Sequence, residues 1–305
     1  MNILSVSLAI LILSTITSSY RVRRAIGGKE LDLTEWPWLA SVKVFEPTYY
    51  VLKFIPIGVW HHCSATLISK QWVLTAAECV ERDGEIMKAN HIHIRLGDGQ
   101  REKSFMERLK GKFCKYAKSL GICNYEDVEY YLHVKRVIVH EGYQFKNVKR
   151  EHNVALLYLE DNVPAFPDDS APHISRVHLH NEDNILLNSD EQFPSSNDKC
   201  KFGGWGRINE EGKPPINAHQ VDMPIISEEI CNMNVDHEIQ ICAGSESVGI
   251  RQYDLGGPLI CRKDGKPYQV GIGSDWRKGK ASIFTRVSAY YDWIKENIIE
   301  HEGLA

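Results

Sequence analysis

Histidines and cysteines are the residues of this 305-residue chain that most readily do chemistry, because they exchange protons, bind metals or form disulfides. The chain has thirteen histidines, and two pairs have i, i+2 spacing: His91 with His93, and His178 with His180. Such a pair lies on one face of a strand, where it can bind zinc or simply face solvent. We favour the solvated face, and we predict no metal and no other cofactor.

The eight cysteines indicate either a disulfide framework or a zinc site. No CxxC pair occurs, so the spacing disfavours zinc. Spacing alone allows on the order of a hundred disulfide pairings and does not choose among them. We therefore predict unassigned disulfides and an extracellular location. The cysteines are Cys63, Cys79, Cys114, Cys123, Cys200, Cys231, Cys242 and Cys261.

The N-terminal residues read as targeting and processing signals. The apolar run 3–13 is shorter than the roughly 20 residues that span a bilayer, and small residues follow it, so residues 1–19 are predicted to be a secretory signal peptide. Residues 20–24 form a short pro-segment ending in Arg23-Arg24, and cleavage after Arg24 would free Ala25. An uncleaved apolar N-terminus and a solvated basic turn are the alternatives.

Composition narrows the class of protein. The chain is 43% hydrophobic and 25% charged, which is typical of a globular protein with a sizeable core. Its formal net charge of −4 argues against nucleic acid as the partner. No later segment is long and apolar enough to span a membrane, so we predict a soluble, secreted protein.

Short β-type segments must position these residues. They are rich in β-branched residues or alternate in polarity, and turn residues separate them, which indicates an all-β barrel or sandwich. The last segment has helical spacing at Tyr290, Ile294 and Ile298, with Ser288 as the expected N-cap, so a C-terminal helix is predicted. The β segments include WLASVKV, CSATLIS, WVLTAA, HIHIRLG, VKRVIVH, NVALLYL, KCKFGGWG, YQVGIGS and ASIFTRV.

Eight motifs in order make the chain resemble the trypsin/chymotrypsin-like serine proteases from Ala25 onward. The resemblance implies one protease domain over 25–300, built from two six-stranded antiparallel β-barrels with the active site between them. It also implies disulfides Cys63–Cys79, Cys200–Cys261 and Cys231–Cys242, which leaves Cys114 and Cys123 to pair. The motifs are AIGG, WPWLASV, CSATLISKQWVLTAAEC, NVALLYL, CKFGGWG, CAG, DLGGPLIC and IFTRVSAYYDWI. The family's disulfide beside the substrate pocket is missing, because its first position is Arg251 and no cysteine follows Cys261.

The resemblance places the catalytic triad at three positions, and all three are changed. The histidine position of TAAEC is Glu78, the aspartate position of NVAL is Asn153, and the serine position of DLGGP is Leu255. In serine proteases, loss of the nucleophile or base costs about 10⁶-fold in rate, and Asp→Asn alone costs about 10⁴-fold. Leucine has no lone pair to activate. We therefore predict a catalytically inactive homologue.

The surrounding positions change as well. By the same resemblance, the position of a glycine in the oxyanion site holds Tyr253, which keeps the backbone N–H but lacks the backbone freedom of glycine. The position that sets charge specificity in the family's substrate pocket holds Gly249. A position on the pocket wall that is glycine in the family holds Trp276, which is expected to narrow or fill the pocket. Asp254 is kept, and by resemblance it pairs with the ammonium of Ala25 after processing. Asp254 accepting backbone hydrogen bonds alone is the alternative.

Two inserts stand out against the family pattern. Residues 46–60 predict a long apolar-aromatic hairpin, and residues 99–131 a larger surface insert. Between positions 101 and 118 there are seven basic and two acidic residues, a local balance of +5. Such a segment suits an anionic partner, or it is a solvated face. The basic residues are Arg101, Lys103, Arg108, Lys110, Lys112, Lys115 and Lys118.

These observations predict a secreted, non-catalytic protein that acts through binding, as a regulator, decoy or cofactor-like partner. The expected partner is another secreted protein, such as a protease, inhibitor or receptor, or an anionic polymer held by residues 101–118. Two alternatives remain open: an endopeptidase with an atypical or residual active site, and an extracellular scaffold or adhesive protein.

Overall fold

A computed structural model describes residues 28–51, 55–97, 99–100, 130–144, 150–163, 178–179, 193–196, 198–208, 214–231, 235–277 and 279–302. Within these ranges no helix combines the length and apolar character needed to cross a lipid bilayer. The strands are β1 Lys29–Glu30, β2 Leu39–Val51, β3 Ile55–Leu67, β4 Trp72–Thr75, β5 Glu81–Arg82, β6 Glu85–Ile86, β7 Ile92–Leu96, β8 Tyr130–Val139, β9 Ala155–Leu159, β10 His178–Leu179, β11 Cys200–Gly204, β12 His219–Asp222, β13 Gln240–Ala243, β14 Pro258–Lys263, β15 Lys266–Asp275 and β16 Ser282–Arg286.

The first half of the chain forms a closed six-stranded barrel in the order β2-β3-β4-β9-β8-β7, which closes where β7 pairs with β2. Burial alternates along strand β8, as expected for a strand with one face on a core: Leu132 and Val134 are buried, whereas their neighbours Tyr131, His133 and Lys135 are exposed. Strands β4 and β9 are buried along their whole length. The barrel therefore has both a filled interior and a covered outer side.

The second half of the chain, together with β1 from near the N-terminus, forms a sheet in the order β1-β12-β11-β14-β15-β16-β13, with β10 added to β15. A β-bridge between Ile225, just after β12, and Ala243, at the end of β13, connects the two outer strands of the set β12-β11-β14-β15-β16-β13. These six strands thus complete a second ring around a separate core that includes Phe202, Leu259 and Phe284. The predicted two-barrel, chymotrypsin-like fold is confirmed.

The C-terminal helix is also confirmed, with a different start. Helix α1 spans Glu228–Cys231, and α2 spans Tyr291–Glu302 after a 3-10 turn at Val287–Tyr290. Ser288 is therefore not the N-cap, because it lies inside that turn, whose capping residue Arg286 makes no side-chain cap bond. Tyr290 and Ile294 pack into the core of the first barrel. Helix α2 follows the second barrel in sequence but covers the first.

The inserts are described only in part. Of segment 46–60, residues 46–51 and 55–60 are described, and they pair as the outer parts of β2 and β3, with Tyr49 opposite Ile57 and Val51 opposite Ile55. Of segment 99–131, the described residues are 99–100 and 130–131, and β8 begins at Tyr130. The seven basic residues, Cys114 and Cys123 lie outside the described residues, as do Arg24 and Ala25.

Candidate active-site region

Three chain segments bring the triad positions toward one another. Glu78 lies in a 3-10 turn directly after β4, which the Cys63–Cys79 disulfide fastens to β3. Asn153 immediately precedes β9, the neighbour of β4 in the barrel. Leu255 lies in the turn before β14, and its carbonyl oxygen accepts the N–H of Ser64 at 2.9 Å. Pairing of β4 with β9, together with the Leu255–Ser64 bond, therefore positions all three segments.

Glu78 and Asn153 bind each other directly. The backbone N–H of Glu78 donates to Asn153 Oδ1 at 3.0 Å, and Asn153 Nδ2 donates to Glu78 Oε2 at 3.3 Å. Asn153 Nδ2 also donates to Ser274 Oγ of β15 at 2.9 Å. Asn153 has no exposed surface, and both ends of its amide are used. A buried amide with its hydrogen bonds satisfied stabilises the fold.

Charged side chains continue this network across the junction of the barrels. Arg150 forms an ion pair with Glu78, and its Nε lies 3.7 Å from Asp275 Oδ1 at the end of β15. Arg277 Nε lies 3.4 Å from Asp275 Oδ2. Charges of alternating sign therefore run from the first barrel to the second. We name Glu78, Arg150, Asn153, Ser274 and Asp275 the junction network.

Leu255 contributes only apolar surface to this region. Its side chain is partly buried and packs against the core clusters of both barrels. The following Gly256 has a φ of 77°, and a Cβ there would meet Thr75 Oγ1 and the Ser64 carbonyl oxygen. This turn therefore requires glycine at position 256.

Tyr253 adopts a left-handed backbone conformation, with a φ of 79°. This conformation favours glycine, so a tyrosine there stores about 1–3 kcal/mol of strain. Two hydrogen bonds hold its carbonyl oxygen, one from Ser64 Oγ and one from His61 Nε2, both at 3.1 Å. A carbonyl oxygen only accepts, so His61 Nε2 carries the proton. In the neutral ring, Nδ1 then accepts the Ser41 hydroxyl 2.7 Å away.

Asp254 is enclosed beneath this turn, with 6% of its surface exposed. Its oxygens accept backbone N–H groups from Gly206 at 2.7 Å and Arg251 at 2.9 Å. Burial raises the pKa of Asp254 to about 7, although these hydrogen bonds and the charge of Arg251 act in the opposite direction. A Cβ on residue 206 would lie 1.9 Å from Asp254 Oδ2, so only glycine fits beside the carboxyl group.

The region predicted as the specificity pocket contains the side chain of Arg251. Arg251 is 7% exposed, and its Nη1 donates to the Ile250 carbonyl oxygen at 2.9 Å. A Cβ on Gly249 would lie 3.4 Å from that same Nη1. The Arg251 guanidinium carbon lies 5.4 Å from the ring centroid of Trp276, which is 37% exposed. Arg251 thus occupies the space beside Gly249, and Trp276 stacks against it.

The remaining predicted residues fall elsewhere. The pairings Cys63–Cys79, Cys200–Cys261 and Cys231–Cys242 are present as disulfides. His93 on β7 lies opposite His133 on β8 with ring centroids 4.8 Å apart, and burial lowers its pKa. In the described part of the chain no three histidine, cysteine or acidic side chains converge as a metal site. His178 lies on β10, while His180 is outside the described residues.

Sequence reasoning missed several members of this region. Arg150, Ser274, Asp275 and His61 were not anticipated, and Arg251 was noted only where a cysteine was missing. One signal was available: an acidic residue at the histidine position requires a cation, and Arg150 lies three residues before Asn153. Ser274 is 121 residues from Asn153, so no local pattern links the two.

Comparisons with known proteins give a family match and several similar sequences. The Trypsin family model matches residues 25–294. Mouse "Tryptase" is 28% identical over 288 residues, covering 88% of this chain and 86% of the tryptase. "Chymotrypsin-like elastase family member 1" of Macaca fascicularis is 27% identical, covering 90% of each chain. "Serine proteinase stubble" of Drosophila melanogaster is 28% identical over 90% of this chain, which spans 31% of that longer protein.

Proposed function

The chain belongs to the trypsin family, and we propose that it is a secreted member that acts by binding rather than by catalysis. The observation that carries this proposal is the apolar Leu255 at the nucleophile position, packed against both cores. Acyl transfer needs an oxygen or sulfur nucleophile with a lone pair, and this turn presents a hydrocarbon side chain there. Three disulfides, which are typical of extracellular proteins, support the secreted location.

The residues at the other two triad positions favour a structural role. A general base must accept a proton from the nucleophile, but the Glu78 carboxylate is engaged by Arg150 and Asn153. Asn153 donates one amide hydrogen to that carboxylate within the first barrel and the other to Ser274 of the second barrel, so both of its amide hydrogens are engaged by the protein. The side chains at the histidine and aspartate positions are therefore bonded to other protein groups of the junction network, and neither is directed at a nucleophile.

The filled pocket supports the same proposal. A protease of this family holds one substrate side chain in a pocket beside the reacting bond. Here the space beside Gly249 contains the buried Arg251, which is bonded to its own backbone and stacked on Trp276. A substrate side chain would have to displace a guanidinium that already has partners, so substrate binding is disfavoured as well as chemistry.

A fluorophosphonate probe tests this proposal, since labelling requires an activated serine. The full secreted chain should remain unlabelled, while trypsin in the same sample is labelled. The matched variants are Leu255→Ser alone and Leu255→Ser combined with Glu78→His and Asn153→Asp. Labelling of the natural chain that persists after competing proteases are removed would support the residual-endopeptidase alternative and overturn the proposal.

Processing and partner form the second part of the proposal. We infer that cleavage after Arg24 frees Ala25, whose ammonium pairs with the buried Asp254. The partner is a secreted protein or an anionic polymer, the latter attracted by the basic residues between 101 and 118. Mass spectrometry of the secreted form tests both, through the N-terminal residue and the co-purifying molecules. Tyr20 as the only N-terminus would contradict cleavage, and co-purification that survives deletion of 101–123 would exclude the basic insert.

A further inference from the structure

A second cleft lies outside the candidate active-site region and has a cavity volume of about 460 Å³. Its walls come from the segment before β2, from the start of β11, and from β12 and β14. None of the residues that line it belongs to the junction network or to the filled pocket. Its volume is within the range of sites that hold one compact ligand group, about 300–1,000 Å³. We call it the tryptophan cleft.

Two buried indoles form the apolar part of the tryptophan cleft. The ring centroids of Trp36 and Trp38 are 6.1 Å apart, and Ile260 adjoins them in the lining. Trp36 Nε1 donates to Gln220 Oε1 at 2.9 Å. Trp38 Nε1 is buried and finds no acceptor among the residues that the structure describes. The apolar part of the cleft is therefore made of two indoles and Ile260, all largely buried, and the Trp38 N–H is a buried group that the described residues do not pair.

Three exposed cations surround this apolar surface, namely Lys199, Lys201 and Arg262. Lys199 and Lys201 flank Cys200, whose disulfide to Cys261 fixes the pairing of β11 with β14. Extending that register by one residue sets Lys199 opposite Arg262. Like charges facing each other across strands are destabilising unless an anion lies near them. The arrangement therefore favours an external anion.

Two carboxylates also line the cleft, but each already has partners. Asp198 Oδ2 accepts the backbone N–H of Ser195 at 2.6 Å and its hydroxyl at 3.0 Å. Glu35 Oε2 accepts from Gln220 Nε2 at 3.4 Å. These acids reduce the local charge to one net positive unit, counting three cations and two carboxylates. A polymer with a sulfate on every sugar would therefore meet repulsion as well as attraction.

We propose that the tryptophan cleft binds an acidic peptide segment of a partner protein. An aromatic or aliphatic side chain of that segment packs on Trp36 and Trp38, and its carboxylates pair with Lys199, Lys201 and Arg262. A peptide also carries a backbone N–H group on nearly every residue, and these groups can donate hydrogen bonds to Glu35 and Asp198. A sulfated polymer has fewer N–H donors for the same length. This inference deepens the binding role proposed above by naming one site and the chemistry of its partner.

The experiment uses the full secreted chain and two pools of acetylated, amidated hexapeptides. One pool has two glutamates flanking an aromatic or leucine position, and the other has glutamines in their place. The acidic pool should bind about tenfold more tightly, because each of its two glutamates can pair with an exposed cation of the cleft. The indole N–H resonances of Trp36 and Trp38 should shift on binding, whereas those of the buried Trp72 and Trp205 should not.

Charge-reversal variants locate the site. Lys199→Glu combined with Lys201→Glu should weaken binding of the acidic pool about tenfold, whereas the control Lys295→Glu on α2 should change it by less than about twofold. Equal binding of the two pools, unshifted indoles, or no effect of the reversal would overturn the proposal. Preference for a heparin tetrasaccharide that the same reversal abolishes would also overturn it, in favour of a sulfated glycan. Either failure leaves the fluorophosphonate result, and so the loss of catalysis, unaffected.

Discussion

The junction network and the tryptophan cleft use similar residues in opposite ways. In the junction network, Arg150 lies between the carboxylates of Glu78 and Asp275, and both ends of the Asn153 amide form hydrogen bonds inside the protein. In the tryptophan cleft, the carboxylates have internal partners, while the lysines extend into solvent. Polar groups that pair internally hold the fold together, whereas charges left exposed beside an apolar floor are available to a partner.

Asp254 stands between these cases, because it is buried and its charge is poorly compensated. The largest effect is expected in the pH dependence of the free energy of unfolding, when the chain cleaved after Arg24 is compared with the uncleaved Arg24→Gln variant. When uncleaved, Asp254 has a pKa of about 7 in the folded state, against 3.8 as the ordinary value. Between these pH values the folded state keeps a proton that the unfolded state has released. The free energy of unfolding therefore falls as pH rises from about 4 to about 7, by on the order of 4 kcal/mol.

Cleavage should remove most of that fall, because a paired Ala25 ammonium stabilises the Asp254 carboxylate and lowers its pKa. Urea unfolding at several pH values measures the difference. Asp254→Asn is the control, since it should remove this contribution from both forms. If the cleaved and uncleaved chains have the same pH profile, the proposed pairing of Ala25 with Asp254 is wrong.

The second prediction breaks the junction network at its centre. Asn153→Ala removes the hydrogen bonds to Glu78 and Ser274 and leaves a cavity in a fully buried position. We expect a loss of about 3 kcal/mol in the free energy of unfolding, measured by urea titration. The matched control is Asn217→Ala, which removes a similar amide–carboxylate bond to Glu30 that solvent reaches. The control should cost less than about 1 kcal/mol, and equal losses would contradict the central role of Asn153.

The all-β class was predictable because its signals are local and repeat along the chain, whereas the arrangement in two barrels was predicted from the family resemblance. Alternating residues in segments such as β8 predict strands with one buried face, and the cysteine motifs are anchored in those strands. The C-terminal helix followed from the spacing of Tyr290, Ile294 and Ile298. Its start was missed, because Val287–Tyr290 forms a tighter 3-10 turn before the α-helix begins.

The candidate site was predictable by position but not by partnership. Glu78, Asn153 and Leu255 are identified by the motifs around them, yet their contacts depend on segments that only the folded chain brings near. Ser274 and Asp275 lie on β15 of the second barrel, so the sequence near Asn153 carries no trace of them. The same holds for the tryptophan cleft, where Trp36 and Lys199 approach from distant parts of the chain.

The third prediction concerns strain in the candidate site. Tyr253→Gly should raise the free energy of unfolding by about 1 kcal/mol, because glycine adopts a φ of 79° without strain. Part of the gain is lost with the contact between the Tyr253 ring and His61. Asp264→Gly is the matched control: aspartate tolerates its φ of 51° better, so its gain should be smaller. Thermal and urea unfolding measure both variants, and a destabilised Tyr253→Gly would show that the ring contact outweighs the strain.

The smallest expected effect on stability is at the tryptophan cleft, where it sharpens the contrast with the junction network. Lys199→Glu and Lys201→Glu should each change the free energy of unfolding by less than about 0.5 kcal/mol, because both side chains are exposed and have no ion-pair partner in the described part of the chain. Arg150→Glu provides the comparison, since it places a like charge beside Glu78 and Asp275 and should cost clearly more. If the lysine variants were the more destabilising, the exposed cations would stabilise the fold, and the proposal that they bind an external partner would be contradicted.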